Sequence, residues 1–235
     1  MQLDRLLQSQ GWGSRKQCQQ WIRAGRVTVG DEIVTRPTAT FEPDGLHHAV
    51  DGEAAVWRAS LYLLLHKPAG HECSREPQAH DSVFSLLPAR FAARGVQPVG
   101  RLDQDTTGVL LLTDDGPLLH RISSPRHHVP KTYLVTCRHE IDDAQIDALL
   151  GGVVLRDDPA PVTARQCERV DARRLTLVIG EGRYHQVKRM LAAVGNRVEA
   201  LHRVAVGTVT LGDLAEGQWR ELTADEVTAL RGTPG

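Results

Sequence analysis

Val99-Gly100-Arg101-Leu102-Asp103-Gln104-Asp105-Thr106-Thr107-Gly108 runs directly into the apolar stretch Val109-Leu110-Leu111-Leu112, and the turn Asp114-Asp115-Gly116 follows. Four apolar residues bounded by a turn predict a short buried strand. The ten residues before it are then a loop leading into a sheet. They concentrate chemistry: one arginine, two carboxylates, two hydroxyls, and glycines near both ends, where backbone can take positive φ or pass close to a ligand. Taken alone, a polar turn or cap explains this composition equally well, so the rest of the chain has to decide.

On the C-terminal side, Pro117 to Ile122 reads as a helix with Leu118, Leu119 and Ile122 apolar, followed by the basic loop Ser123-Ser124-Pro125-Arg126-His127-His128. Lys131 to Thr136 reads as a strand on which Tyr133, Val135 and Cys137 share a face. Ile141 to Leu150 is a helix capped by Asp142 and closed by Gly151-Gly152, and Leu175 to Ile179 is a strand. That strand runs into Gly180-Glu181-Gly182-Arg183-Tyr184-His185-Gln186-Val187-Lys188-Arg189-Met190, where Val187, Met190, Leu191 and Val194 follow the helical i, i+3, i+4, i+7 spacing. His185, Lys188 and Arg189 lie off that stripe, near the helix start. A solvated basic face and a face turned to a cleft fit this spacing about equally. Val204 to Leu211 is read as one strand, and Thr223 caps a final helix.

On the N-terminal side, Leu61 to Leu65 is a buried strand followed by the basic turn His66-Lys67-Pro68-Ala69-Gly70, and a helix is expected around Val83 to Leu87. Residues 1–34 read as helix, helix, hairpin. Leu3, Leu6 and Leu7 share one face; Ser14-Arg15-Lys16-Gln17 has capping-box spacing; Cys18, Trp21 and Ile22 form the apolar stripe of the second helix. Arg15, Lys16 and Arg23 project from an adjoining face. Pro37, Pro43, Asp44-Gly45 and Asp51-Gly52 then punctuate short apolar pieces, which places a module at residues 1–57 and a larger unit at 61–235.

The balance of 28 Lys and Arg against 29 Asp and Glu gives a net charge of -1 and no hint of a polyanionic partner. The first thirty residues differ, with five Lys or Arg and Asp4 as the single acid. A local basic strip beside a hairpin suits phosphate contacts. Hydrophobic residues at 41% and charged residues at 24% exclude disorder over most of the length. Cys18, Cys73, Cys137 and Cys167 are widely spaced, which argues against a zinc site and a disulfide framework, and His47-His48 lacks a partner cluster. The opening Met1-Gln2-Leu3-Asp4-Arg5 has no apolar leader core, and no run nears the roughly 20 apolar residues a membrane span needs. A cytoplasmic protein without metal or membrane anchor is expected.

The residues Leu3-Asp4-Arg5-Leu6-Leu7, Ser14-Arg15, Trp21-Ile22 and Gly25 to Gly30 resemble the S4 RNA-binding domain. Gly100-Arg101-Leu102-Asp103 with Thr106 and Gly108, Lys131-Thr132-Tyr133, Gly182 to Met190, and His66 to Gly70 resemble four motifs of the RNA pseudouridine synthases, in the family's order along nearly the whole chain. Thr113 to Gly116, Ser123 to His128 and Leu201-His202-Arg203 are similar to the branch of that family that acts on small-subunit ribosomal RNA.

The resemblance implies an α+β protein: a small S4-like module, then a catalytic domain on a mixed, mainly antiparallel sheet flanked by helices, with an RNA cleft across it. It implies an isomerase that converts a uridine of 16S ribosomal RNA to pseudouridine, working as a monomer on the RNA or on a small-subunit assembly intermediate. Asp103 falls in the place of the nucleophilic aspartate, Tyr133 in that of the tyrosine stacked on the target base, and Lys188 in that of the basic partner of the aspartate, where many relatives carry arginine. Arg101, Arg15, Lys16, Arg23, Lys67, His185 and Arg189 are the expected RNA contacts. The reaction breaks one bond to the sugar and makes another without net redox change, so no cofactor is expected. It needs a close, ionised carboxylate and a base taken out of its stack. A 23S target, or a non-catalytic rRNA-binding or ribosome-assembly factor, remains an alternative, while a glycoside hydrolase using Asp103 and Asp105 is disfavoured by the 4% aromatic content.

Overall fold

A computed structural model describes residues 1–156 and 158–232. The chain divides into two compact units, one formed by Met1–Leu61 with Leu87–Gln97, the other by Tyr62–Leu86 with the residues from Pro98 onward.

In the first unit, α1 (Leu3–Ser9) and α2 (Arg15–Arg23) precede β1 (Val27–Val29), β2 (Glu32–Ile33), β3 (His47–Val50) and β4 (Glu53–Val56), which pair in the order β2-β1-β3-β4. The expected capping box is present: the Ser14 hydroxyl accepts from the Gln17 amide, and the Gln17 side chain reaches back. Leu3, Leu6, Leu7, Cys18, Ile22, Val27 and Val50 form the core, so the two helical stripes read from the sequence bury against each other and against the sheet.

The segment 87–97 also packs here, beyond the 1–57 boundary read from the sequence. Its helix α3 (Ala89–Arg94) buries Phe91, and the Arg94 guanidinium donates to the Gln10 side chain at 2.6 Å and to the Arg58 and Ala59 carbonyls at 2.8 and 3.0 Å. Gly11 makes this approach possible: a Cβ on it would lie 2.1 Å from the Arg90 carbonyl oxygen. The helix expected around Val83 to Leu87 is instead a short 3-10 turn, Val83–Leu86. Pro88 disfavours helical backbone at Leu87, and the α-helix restarts after it.

In the second unit, β5 (Tyr62–Lys67) is followed by the two-residue strands β6 (His71–Glu72) and β7 (Asp81–Ser82), and β8 (Gln97–Pro98) follows α3 in the chain. Then come β9 (Thr107–Thr113), α4 (Gly116–Ser123), β10 (Lys131–Cys137), α5 (Asp143–Gly151), β11 (Val153–Leu155), β12 (Asp158–Val162), β13 (Gln166–Arg169), β14 (Arg174–Ile179), α6 (Gln186–Ala193), β15 (Val198–Val206), β16 (Val209–Thr210), β17 (Trp219–Glu221) and α7 (Ala224–Arg231). The main sheet runs β13-β14-β10-β15-β9-β5-β17, with β9 and β15 parallel and the other neighbours antiparallel. It is therefore mixed and mainly antiparallel, as the resemblance implies.

The apolar run Val109 to Leu112 lies in β9 and is buried on both faces, which is why it carries no alternation. Val109 and Leu111 join Leu64, Leu118, Ile122, Val206 and Leu230 in one core cluster, so α4 and α7 cover that face. The stretch read as one strand from Val204 to Leu211 is broken: Gly207, at φ +58°, turns the chain so that β16 folds back with Val209 opposite Val206.

At the start of β9, Gly108 lies opposite Lys67 of β5 and Arg203 of β15. Its φ is +106°, and a Cβ there would sit 2.2 Å from the Arg203 carbonyl oxygen. Only glycine lets the two neighbouring strands close at this point, where the loop at Asp103 meets the sheet.

Candidate active site

The loop between Val99 and Thr106 is held from beneath. Lys67, fully buried, donates to the carbonyls of Pro68 at 2.9 Å, Gln104 at 3.2 Å and Thr106 at 2.9 Å. An ammonium has three donors, and three carbonyl oxygens take them. Burial pushes the Lys67 pKa down, opposed by the nearby Cys73, Asp105 and Asp103. The loop is further fixed by Gly70 N–H on the Gln104 carbonyl at 2.8 Å and by Leu102 N–H on Cys73 Sγ at 3.5 Å. The sequence reading made Lys67 an RNA contact, and its burial overturns that: the side chain organises the loop and reaches no solvent.

A second loop faces the first. Gln186 is buried, its side-chain oxygen accepting from Arg183 N–H at 2.8 Å and its amide donating to Glu181 at 3.3 Å. Arg183 in turn pairs with Asp158 at 2.6 Å and Glu181 at 3.2 Å. These bonds set the turn from which α6 starts. His185 at its N-cap has φ +48°, the left-handed region that a residue other than glycine enters only when its surroundings demand it.

The two loops meet at Asp103. Lys188 Nζ lies 3.0 Å from Asp103 Oδ2, and His185 Nε2 lies 3.3 Å from Asp103 Oδ1, so each carboxylate oxygen has its own partner. Lys188 also donates to both oxygens of Asp105, at 2.7 and 2.9 Å. Burial would lower the Lys188 pKa, but hydrogen bonds to Asp105 and Asp103 and their charges outweigh it and hold the ammonium above the ordinary lysine value. Burial would likewise raise Asp105, but the hydrogen bonds and charge of Lys188 keep its carboxyl below the usual range. Lys188 is thus a cation in contact with both Asp103 and Asp105.

Arg189, the other basic residue of the motif, turns away: it donates to the Tyr184 carbonyl at 3.3 Å and to that of Arg156. It braces the start of α6 and is absent from the walls of the site. Lys188, one residue earlier, occupies the position facing Asp103.

A cavity of about 120 Å³ opens beside the carboxylate, walled by Asp103, Tyr133, Lys188 and His185 together with Arg101, Lys131 and Arg203. An engineered protein cavity of about 150 Å³ takes a benzene, so this space suits a single six-membered ring. Tyr133 is 8% exposed and Arg101 is exposed. Two buried polar atoms on these walls, Thr106 Oγ1 and Arg203 Nη2, have no partner among the described residues. Unpaired buried donors of this kind mark places where a bound molecule's polar groups can be received.

Sequence reasoning leaves Lys131, Thr106 and Arg203 without a role, because strand pairing distant in the chain brings Lys131 and Arg203 to the wall and no local spacing shows it. Lys131 Nζ is buried with one protein partner, the Ile122 carbonyl at 3.2 Å. Its pKa is pushed down to about 8, first by burial and then by the charges of Arg203 and Arg165. The folded value lies below the unfolded one near 10.4, so between the two the unfolded chain holds a proton the folded chain has shed, and stability from this group rises with pH. From pH 7 to pH 10 the native protein should gain about 2 kcal/mol relative to Lys131→Met, read by urea unfolding at each pH. A constant difference would show that Lys131 is not titrating in that window.

In the first unit, Lys16 and Arg23 are exposed on α2 as expected. Arg15 is committed within the module: its guanidinium donates to buried Asp4 at 2.8 Å and to Gln2 at 3.3 Å, tying α2 to the start of α1.

Comparison with known proteins gives the family of the chain. The RNA pseudouridylate synthase family model matches residues 61–193, which includes Asp103, Tyr133 and Lys188, and the S4 domain model matches residues 1–43. The chain belongs to the RNA pseudouridylate synthase family. Among similar proteins, the ribosomal small subunit pseudouridine synthase A of Yersinia pestis is 40% identical over 98% of both chains. The protein of the same name from Escherichia coli K12 is 41% identical over 98% of this chain and all of its own length. A crystal structure of a pseudouridylate synthase superposes with a TM-score of 0.69 at 36% identity, covering 98% of this chain and 99% of that one. This pseudouridine synthase is accordingly an RNA-modifying isomerase with an S4 domain at its N-terminus. Among the described residues no helix is long and apolar enough to cross a membrane.

Proposed function

We propose that this enzyme converts a uridine of small-subunit ribosomal RNA to pseudouridine, with Asp103 as the reacting carboxylate, Tyr133 against the target base and Lys188 as the counter-charge. The observation that carries the assignment is the carboxylate of Asp103, with the Lys188 ammonium 3.0 Å from one oxygen and the His185 ring 3.3 Å from the other, on the wall of a ring-sized cavity that also contains Tyr133. The names of the similar proteins support the small-subunit RNA as substrate.

In the reaction the bond from N1 of uracil to C1′ of the sugar breaks, the ring turns, and C5 bonds to C1′; a proton leaves C5 and one is gained at N1. The ammonium of Lys188 at one oxygen orients the carboxylate before the substrate arrives, which removes reorganisation from the barrier. Extruding the base costs a few kcal/mol, and burial of the ring against Tyr133 offsets part of it. The orphan donors Thr106 Oγ1 and Arg203 Nη2 are then available to polar atoms of the base, and Arg101 to the backbone that carries it.

Release of tritium from C5-labelled transcripts tests this, because the C5 hydrogen is lost as the new bond forms. Small-subunit RNA, free or in an assembly intermediate, should release label and large-subunit RNA should not. The reverse preference would overturn the substrate assignment.

Lys188→Met removes the shared cation and should lower turnover by about a hundredfold, whereas Lys188→Arg keeps the charge and should lose about tenfold or less. Arg189→Met, in contrast, should stay within a few-fold of wild type. Inactivity of Arg189→Met with near-normal Lys188→Met would reverse the assignment within this motif.

For the S4 module, Lys16→Ala and Arg23→Ala should weaken binding across RNA sequences and each reduce the slope of log affinity against log salt by about 0.7 to 0.9. An unchanged slope would remove these residues from the phosphate contacts.

A further inference from the structure

Tyr184 is 70% exposed, among the most exposed large side chains of the described residues. Its ring stacks on the imidazole of His185, with centroids 3.8 Å apart and planes within 19°. One face is covered and the other is left to solvent. His185 is the residue held at φ +48° whose Nε2 touches Asp103, so the strained backbone that delivers the imidazole to the carboxylate also sets the tyrosine ring one stacking layer further out.

The surroundings of this open face are those of a nucleic-acid groove. A cleft of about 800 Å³ joins the ring-sized cavity through shared walls at Asp103, His185 and Lys188, and Tyr184 and Arg101 line it. Three acids line it, Asp103, Asp105 and Glu72: Lys188 contacts the first two, and Glu72 accepts from the backbone N–H groups of Gln78, Ala79 and His80 at 2.9 to 3.0 Å. Arg101, which is exposed, and Arg183 and Lys188 place cations along the same cleft. A rigid aromatic face beside cations is the arrangement that holds unpaired bases, since every base offers a π-face and the phosphates follow the positive charge.

We propose that Tyr184 is the stacking platform for an unpaired base next to the target uridine, so that the enzyme grips two nucleotides: the target in the cavity at Tyr133 and its neighbour on the outer face of Tyr184. This rests on the functional reading above for the identity of the RNA, though stacking itself requires only an unpaired base in the cleft. Tyr184 would position the RNA without touching the reacting atoms.

The test uses the full-length enzyme and a small-subunit RNA fragment that contains the target, with 2-aminopurine or an abasic residue placed singly at the nucleotides on either side. Binding of wild type should quench the 2-aminopurine fluorescence at one flanking position. Tyr184→Phe should preserve the quenching and Tyr184→Ala should abolish it. In turnover, Tyr184→Ala should raise KM roughly tenfold or more with kcat nearly unchanged, and Tyr184→Phe should behave as wild type. An abasic residue at the quenched position should cost wild type the same factor and cost Tyr184→Ala nothing further.

Quenching that survives Tyr184→Ala, or losses that multiply at every abasic position, would overturn the platform. So would a fall in kcat that Tyr184→Phe does not rescue, since that would point to support of His185 alone. Failure of wild type to isomerise the unmodified fragment would count against the substrate reading, while the quenching would still decide the platform.

Discussion

Asp103→Asn is expected to lose isomerisation by about 10³-fold or more while binding RNA as tightly as wild type. The substitution keeps the shape of the side chain and removes the charge and nucleophilicity. The consequences for the fold are small because what anchors the loop is elsewhere: the Asp103 carbonyl still accepts from Thr106 N–H at 3.1 Å, and Lys188 still has both oxygens of Asp105. Stability should therefore stay within about 0.5 kcal/mol of wild type. Asp105→Asn is the informative companion. Asp105 is the more exposed carboxylate, at 55%, and its side chain is bound by Lys188, so its loss should cost turnover no more than about tenfold. Equal losses at the two positions would revive a mechanism with two acting carboxylates. Single-turnover tritium release and filter binding on the same preparations separate the two effects.

Lys67→Met is expected to destabilise the protein by about 3 kcal/mol or more and to abolish turnover in whatever fraction remains folded. Methionine replaces the stem at similar volume but takes the ammonium away from three carbonyl oxygens, of Pro68, Gln104 and Thr106, of which Gln104 keeps the N–H of Gly70. Two of those carbonyls, of Gln104 and Thr106, follow Asp103 closely in the chain, so the loop loses the point that fixes its height above the sheet. Urea unfolding reads the stability term. The affinity of the folded protein for RNA reads the other, and it should fall no more than about threefold, because the ammonium faces the loop. A variant of normal stability with a reduced salt slope would return Lys67 to the RNA surface.

The contrast between Lys67 and Lys188 shows what the sequence conveys and what it withholds. Both are lysines in motifs beside a turn, and spacing places both near the cleft. Their fates differ because Lys67 sits in β5 opposite Gly108, where the pleat drives its side chain under the loop, while Lys188 sits in the first turn of α6, off the stripe that buries Val187, Met190 and Leu191. Strand register is set by pairing partners distant in the chain, and no local spacing reports it. The same limit explains Arg203 and Thr106, whose unpaired buried atoms are created by the meeting of β9 and β15.

Elements fixed by local chemistry were legible. The capping box of α2, the caps of α5 and α7, the buried run in β9 and the shared face of Tyr133, Val135 and Cys137 all appear where the residues placed them. Segment 87–97 was not, because nothing within Ala89–Arg94 tells that Arg94 will cap the carbonyls of Arg58 and Ala59. Nor was the break at Gly207, where an apolar run of strand-forming residues hides a two-residue turn that only the positive φ reveals.

The central claim, that the carboxylate of Asp103 makes one pseudouridine in small-subunit ribosomal RNA, is tested most directly by mapping pseudouridine at nucleotide resolution. The RNA should come from cells lacking this enzyme, after incubation with either the wild-type protein or Asp103→Asn. The account predicts one new pseudouridine in the small-subunit RNA with wild type and none with Asp103→Asn. The same new site appearing with both proteins, or with neither, would contradict it.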